Sequence, residues 1–250
     1  MKEIMEELAD LLSQSHIPVF GIAKTSSLEN EPSGYKPSNM LDSAKSILCF
    51  GIPVPKGIFK SEERSEWMYL MAASIYYRKI DAVLMQACSI IEEIGEVATP
   101  IYTCFPYDIK GKGDFWGYVS LVKMAEAVGI GEVGKNGLLF SSKYGPRLLL
   151  GGIVTTASLP SMTRPEKDEK GCHEECFVCQ EQCPVKAIEK SGKVDRVACL
   201  KFSMKSPIFS NMMRTGEISP QDVQMINHVT AVDDNSMYRC IQCVSVCPFL

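Results

Sequence analysis

Cys172-His-Glu-Glu-Cys176-Phe-Val-Cys179-Gln-Glu-Gln-Cys183-Pro184 is the stretch from which the rest of the chain can be read. It sets three cysteines at tight spacing, then a fourth followed at once by proline. The device recurs downstream, where Cys199 stands apart and Cys240-Ile-Gln-Cys243-Val-Ser-Val-Cys247-Pro248 follows. Of 11 cysteines in 250 residues, eight fall in these two motifs. A cubane iron–sulfur cluster needs four thiolates converging from different directions. A tight loop supplies three, and the fourth comes from elsewhere in the chain.

Bacterial two-cluster ferredoxins use this device, in which the cysteine before proline ligates the other cluster; here the first gap is one residue longer than usual, and in the second motif the first ligand is displaced upstream. On that pattern Cys172, Cys176, Cys179 and Cys247 hold one 4Fe–4S cluster, and Cys199, Cys240, Cys243 and Cys183 hold the second. The crossed ligands would staple the two motifs together and keep the clusters close. Zinc sites and disulfides are the competing readings. Two zinc sites need no proline after the last cysteine of each motif. Disulfides are rare in the reducing compartment to which the N-terminus points. Cys49, Cys88 and Cys104 lack ligand spacing and read as buried packing residues.

Charge and composition narrow the function classes. A net charge of −4 argues against a nucleic-acid partner and against anionic membranes. The apolar runs at 46–55 and 148–154 are too short to span a bilayer. The opening Met-Lys-Glu-Ile-Met-Glu-Glu-Leu is acidic and helix-like and lacks the basic start of a signal peptide, so a cytoplasmic protein is expected.

Upstream of the cysteines the chain alternates helical and strand patterns. Ile4, Met5, Leu8, Leu11 and Leu12 predict a helix over residues 1–13. Strands are expected near 16–23, 46–54, 98–104 and 147–157. A long helix, or two, is expected in the Pro- and Gly-free stretch before residue 95, and a short amphipathic helix over 117–128. Residues 24–39 read as loop, 158–170 as a linker, and Ser219-Pro220 as a helix start. The fold class is α/β (α+β): a cofactor domain at 1–160, then a ferredoxin-like domain with two clusters at 161–250.

Gly129-Ile-Gly131-Glu-Val-Gly134 matches the dinucleotide pattern G-x-G-x-x-G. It follows a predicted helix rather than a strand, and no Asp or Glu occurs from Lys135 to Pro165, so NAD binding is rejected. The same acid-free stretch carries Lys135, Lys143, Arg147 and Arg164. Glycines that expose backbone N–H groups beside such cations suit a large ligand bearing phosphate or amide groups.

Gly129-Ile-Gly-Glu-Val-Gly-Lys-Asn-Gly-Leu-Leu139, with Tyr144-Gly-Pro-Arg147 and Leu150-Gly-Gly-Ile-Val154, resembles the cobalamin-binding loop of epoxyqueuosine reductases and reductive dehalogenases. Phe20-Gly-Ile-Ala23, Ala44-Lys-Ser-Ile-Leu-Cys-Phe-Gly-Ile-Pro53 and the cysteine order extend the resemblance over nearly the whole chain. It implies a nitroreductase-like domain holding cobalamin through Gly129, Gly131, Gly134, Lys135, Asn136, Tyr144, Arg147, Gly151 and Gly152. The clusters would deliver low-potential electrons to the corrinoid. The chain departs from epoxyqueuosine reductases in three places. Glu132 stands where the family has Trp. The family's proton-donating Asp falls near Phe115, beside Asp114. The sequence ends three residues after Cys247, so the helical-repeat extension linked to tRNA is expected to be absent. A different substrate is therefore expected.

A reduction above a corrin needs a proton source. Tyr107 and Asp114 are the catalytic candidates, in a segment that with Trp116 would wall the pocket. His173 lies between two cluster ligands, where its ring either tunes a cluster through a hydrogen bond or faces water. Two alternatives share the cysteine evidence. One is an FMN-linked iron–sulfur oxidoreductase whose basic loop holds the flavin phosphate. The other is a non-enzymatic electron carrier or activator for a partner corrinoid protein. Either way the expected partners are an external low-potential electron donor and a small-molecule or protein electron acceptor.

Overall fold

A computed structural model describes residues 2–103, 107–109, 115–162, 171–203 and 240–250. Chain order gives the elements. Helix α1 (Lys2–Gln14) leads into β1 (Val19–Lys24), one-turn α2 (Pro37–Met40), β2 (Ser46–Pro53) and one-turn α3 (Lys56–Phe59). Helix α4 (Ser65–Glu92) is followed by β3 (Ala98–Ile101) and the hairpin β4 (Tyr107–Ile109) and β5 (Phe115–Gly117). Next come α5 (Leu121–Ala127), β6 (Glu132–Val133), β7 (Leu139–Phe140) and β8 (Leu148–Thr155). The cysteine motifs carry α6 (Val178–Glu181), α7 (Arg196–Ser203) and α8 (Gln242–Ser245).

The apolar runs of β2 and β8 are continuous because both faces of their sheet are covered. The order is β1-β2-β8-β3, antiparallel throughout. Successive side chains alternate faces. Leu48, Phe50 and Ile52 of β2 join Leu149 and Ile153 of β8 in one core, against α1 and α4. Ile47 and Cys49 join Leu148, Leu150 and Val154 in the other, against α5. Mixed helices around one antiparallel sheet make this an α+β fold.

Helix α1 buries Ile4, Leu8 and Leu12, one face at helical spacing. Helix α5 starts later than the pattern suggests, because the Ser120 hydroxyl accepts from the Lys123 N–H at 3.3 Å and caps it. The 24–39 loop contains a short 3-10 turn at Thr25–Leu28 as well as α2. The strand expected to reach Cys104 ends at Ile101. Cys104, residues 163–170 of the expected linker and the helix expected at Ser219 lie outside the described residues. Among the described residues no helix is long and apolar enough to cross a membrane.

The second cysteine motif is packed into the first core. Ile241 and Val244 of that motif are buried with the α1, α4 and sheet side chains, and Cys243 and Leu250 pack against them. The second cysteine motif is thus anchored on the sheet domain.

Candidate functional site

The two cysteine motifs fold alike. Each places a one-turn helix between its second and last cysteines. The residues before these helices, Phe177 and Ile241, have φ/ψ of −119/10 and −116/7. The residues after them, Gln182 and Val246, have −86/−2 and −86/−3. Hydrogen bonds repeat as well: Gln180 and Glu181 donate to the Phe177 carbonyl at 3.0 Å, and Val244 and Ser245 to that of Ile241 at 3.0 and 2.9 Å. The prolines fall where no N–H is needed, just after Cys183 and Cys247.

None of the ten described cysteines is in a disulfide. Their electrostatics divide the motif cysteines into two neighbourhoods. The Cys179 thiol is pushed up by burial and by Cys172, Cys176 and Cys247. Burial raises Cys199 to about 11, with Cys240 and Cys183 adding to it. Cys243, raised to about 12 by burial, feels Cys199, Cys240, Cys179 and Cys183. Cys179 and Cys243 therefore also link the two sets. Thiolates gathered in a buried place repel one another, so each set invites a cationic centre. Among the described residues no group of three or more His, Cys, Asp or Glu has the geometry of a site for a single metal ion.

A small cavity open to solvent brings the cysteines and the glycine-rich loop together. Cys172, Cys176, Cys179, Cys243 and Cys247 line it together with Gly134, Lys135 and Asn136. The His173 ring lies 5.2 Å from that of Phe249, and Phe249 meets Phe140 edge-on at 5.4 Å.

The loop itself is a helix stop followed by a small hairpin. Gly129, at φ +83, ends α5: its N–H donates to Glu126 at 3.1 Å and that of Ile130 to Ala125 at 2.9 Å. Gly131 lies so close to the Phe140 carbonyl that a Cβ there would overlap it. The hairpin β6–β7 turns at 134–138, where the Gly134 N–H meets the Leu138 carbonyl at 2.8 Å and Asn136 Oδ1 accepts from Leu138. The G-x-G-x-x-G resemblance to a dinucleotide loop is thus a coincidence of turn glycines.

The basic residues are held in specific places. Lys135 Nζ donates to the carbonyls of His173 at 2.7 Å, Glu174, and Cys176 at 3.0 Å. Arg147 Nη1 donates to the Val54 carbonyl at 2.5 Å, while its buried Nε has no partner among the described residues. Burial lowers the Arg147 pKa. Lys143 and Arg147 flank the Tyr144 ring at 5.2 and 5.8 Å.

Gly151 and Gly152 correct the expected ligand set. Both sit mid-strand in β8. A Cβ on Gly151 would lie 2.5 Å from Ile80 Cγ2, and one on Gly152 would lie 2.8 Å from Met124 Cε. Helices α4 and α5 occupy the space, so these are packing glycines rather than ligand contacts. Asp114 lies outside the described residues, and of Tyr107 only the backbone is described, paired with Gly117. Cys49 and Cys88 are buried packing residues, as expected.

The sequence marks Glu132 only as a departure from the resembling family, not as a partner of the first motif, yet its Oε1 accepts the Cys172 N–H at 2.6 Å. Sequence inspection also missed Asp81, whose buried Oδ1 has no partner among the described residues and whose pKa burial raises to about 6. Nothing local marks either role, because both arise from contacts distant in sequence.

No family model matches the chain. The epoxyqueuosine reductase of Lactococcus garvieae (strain Lg2) is 25% identical over an alignment covering 100% of this chain and 70% of that protein. A crystal structure of epoxyqueuosine reductase with an epoxyqueuosine-modified tRNA-Tyr stem loop superposes with TM-score 0.64 at 18% identity, covering 99% of this chain and 65% of that one. A reductive dehalogenase structure described in terms of B12-dependent dehalogenation gives 0.58 at 16%, covering 96% and 35%. The chain spans about two thirds of the solved epoxyqueuosine reductases. The resemblance drawn from the glycine loop and cysteines is met in these homologues, which are oxidoreductases.

Proposed function

We propose that this chain is an iron–sulfur reductase whose two 4Fe–4S clusters feed electrons to a corrinoid in the domain formed by residues 1–160. The observation that carries the reading is the cavity shared by Cys172, Cys176, Cys179 and Cys247 with Gly134 and Asn136. It is supported by the two matching cysteine folds and by the names of the homologues.

The donor sets fit the clusters. Cys172, Cys176, Cys179 and Cys247 would hold one, and Cys183, Cys199, Cys240 and Cys243 the other. Bound clusters supply one-electron relays at low potential, and a bound corrinoid supplies a strongly reducing, nucleophilic metal centre. The residues on the loop side also fit. Arg147 Nε is a buried donor that a ligand amide or phosphate oxygen would satisfy. Gly134, Asn136 and Tyr144 would complete that contact, with Gly129 and Gly131 shaping the loop. Tyr107 and Asp114 are the proposed proton sources. Residues 161–250 form the proposed ferredoxin-like unit, and the protein works in the cytoplasm with an external low-potential donor.

The second reading concerns substrate. Sequence charge argued against nucleic acid, yet one solved neighbour is bound to a modified tRNA stem loop. The favoured substrate is a small molecule, on the grounds of the −4 charge. Anaerobic turnover of the modified stem loop by the reconstituted protein would replace it with the tRNA reading. A yellow protein that releases FMN on denaturation would replace the corrinoid with flavin. Clusters that assemble with neither cofactor bound would leave an electron carrier.

A further inference from the structure

Glu132 and Lys135 stand three positions apart in the hairpin β6–β7, and both reach the same target. The Glu132 carboxylate accepts the N–H of Cys172 at 2.6 Å. It also fills the space beside Gly171, where a Cβ would lie 2.6 Å from Oε1. The Lys135 ammonium spends its three donors on the carbonyls of His173, Glu174 and Cys176. Its charge lies 4.4 Å from the centre of the Phe177 ring. Between them the two side chains grip the first cysteine loop at its start and along its length.

We infer that Glu132 and Lys135 form a clasp of opposite charges that positions the 172–177 loop and sets the potential of the cluster bound there. The inference rests on the cluster assignment proposed above. It takes Lys135 out of the set expected to touch a corrinoid or flavin. An ammonium whose three donors meet three carbonyls has none left for a ligand anion. It gives Glu132, which departs from the residue usual in the resembling family, a role of its own. A negative charge held close to a cluster disfavours the electron it gains on reduction, and a positive charge favours it. The two members therefore act in opposite directions on the cluster while acting together on the loop.

Both members are positioning residues. The test uses the full chain with clusters reconstituted anaerobically, and reads cluster potentials by spin-resonance titration, iron and sulfide content, and cobalamin affinity. Glu132→Gln keeps an oxygen to accept the Cys172 N–H and removes only the charge. It should raise the potential of one cluster, changing its reduced-to-oxidised ratio at fixed ambient potential by about threefold or more, and leave the other cluster unmoved. Lys135→Met should lower the same potential, or empty that one cluster, without weakening cobalamin binding. Unmoved potentials in Glu132→Gln overturn the inference. So does a Lys135→Met protein with both clusters unchanged but cobalamin affinity lost. Absence of cobalamin binding in the wild type would sink the corrinoid reading and leave the clasp standing, because the potentials are read without it.

Discussion

Gly145 and Phe249 are in backbone contact across more than a hundred residues: a Cβ on Gly145 would overlap the Phe249 carbonyl. Gly145 also has φ +58, a conformation that disfavours any side chain. The turn between β7 and β8 is in this way seated directly on the second cysteine motif. Gly145→Ala should destabilise the protein by about 1–3 kcal/mol from the backbone conformation alone, and more if the tail is displaced. Thermal unfolding with iron analysis checks this. Unchanged stability with full iron content would show that the contact yields freely.

The crossed assignment of the last cysteine in each motif makes an asymmetric prediction. Cys247→Ala should remove the cluster built on Cys172, Cys176 and Cys179. Cys183→Ala should remove the one built on Cys199, Cys240 and Cys243. Each variant should keep about four of about eight iron atoms. The surviving spin-resonance signals of the two variants should differ. Identical residual spectra would contradict the crossing.

Arg147 offers a donor with no partner among the described residues. Arg147→Lys keeps the charge and loses the planar fork, so cobalamin affinity should fall by about tenfold. The Val54 contact is lost as well, so thermal stability is measured alongside. A fall in stability at full affinity would assign Arg147 to the scaffold alone.

Asp81 gives the protein a pH signature. Its pKa is raised to about 6 from an ordinary 3.8 because burial disfavours the carboxylate. The folded state therefore holds this proton more tightly than the unfolded chain does. The stabilising contribution is complete below about 4 and is lost as the pH rises through about 6. Asp81→Asn should remove that slope. Urea unfolding of both proteins between pH 4 and pH 7.5 should show their stabilities diverging in favour of the variant as pH rises. Parallel curves would show that Asp81 is solvated.

Much of this was legible in the sequence because it is local. Cysteine spacing, the apolar runs of β2 and β8, and the Ile4, Leu8 and Leu12 stripe of α1 each report a structure that depends on near neighbours. Gly129 was readable as a helix stop for the same reason. What was not legible depends on distant partners. The strand order β1-β2-β8-β3 is set by which faces find each other. Gly151 and Gly152 looked like ligand glycines and prove to be seats for Ile80 and Met124. The basic stretch looked like an anion site, yet Lys135 is turned onto backbone carbonyls about forty residues away.

The central claim is that clusters and corrinoid share one protein, and anaerobic titration of cobalamin into the reconstituted full chain tests it directly. The expected result is saturable binding at one cobalamin per chain, with iron and sulfide for two clusters, and cobalt reduction when a low-potential donor is added. Two clusters with no cobalamin binding, or cobalamin bound but never reduced through them, would contradict it.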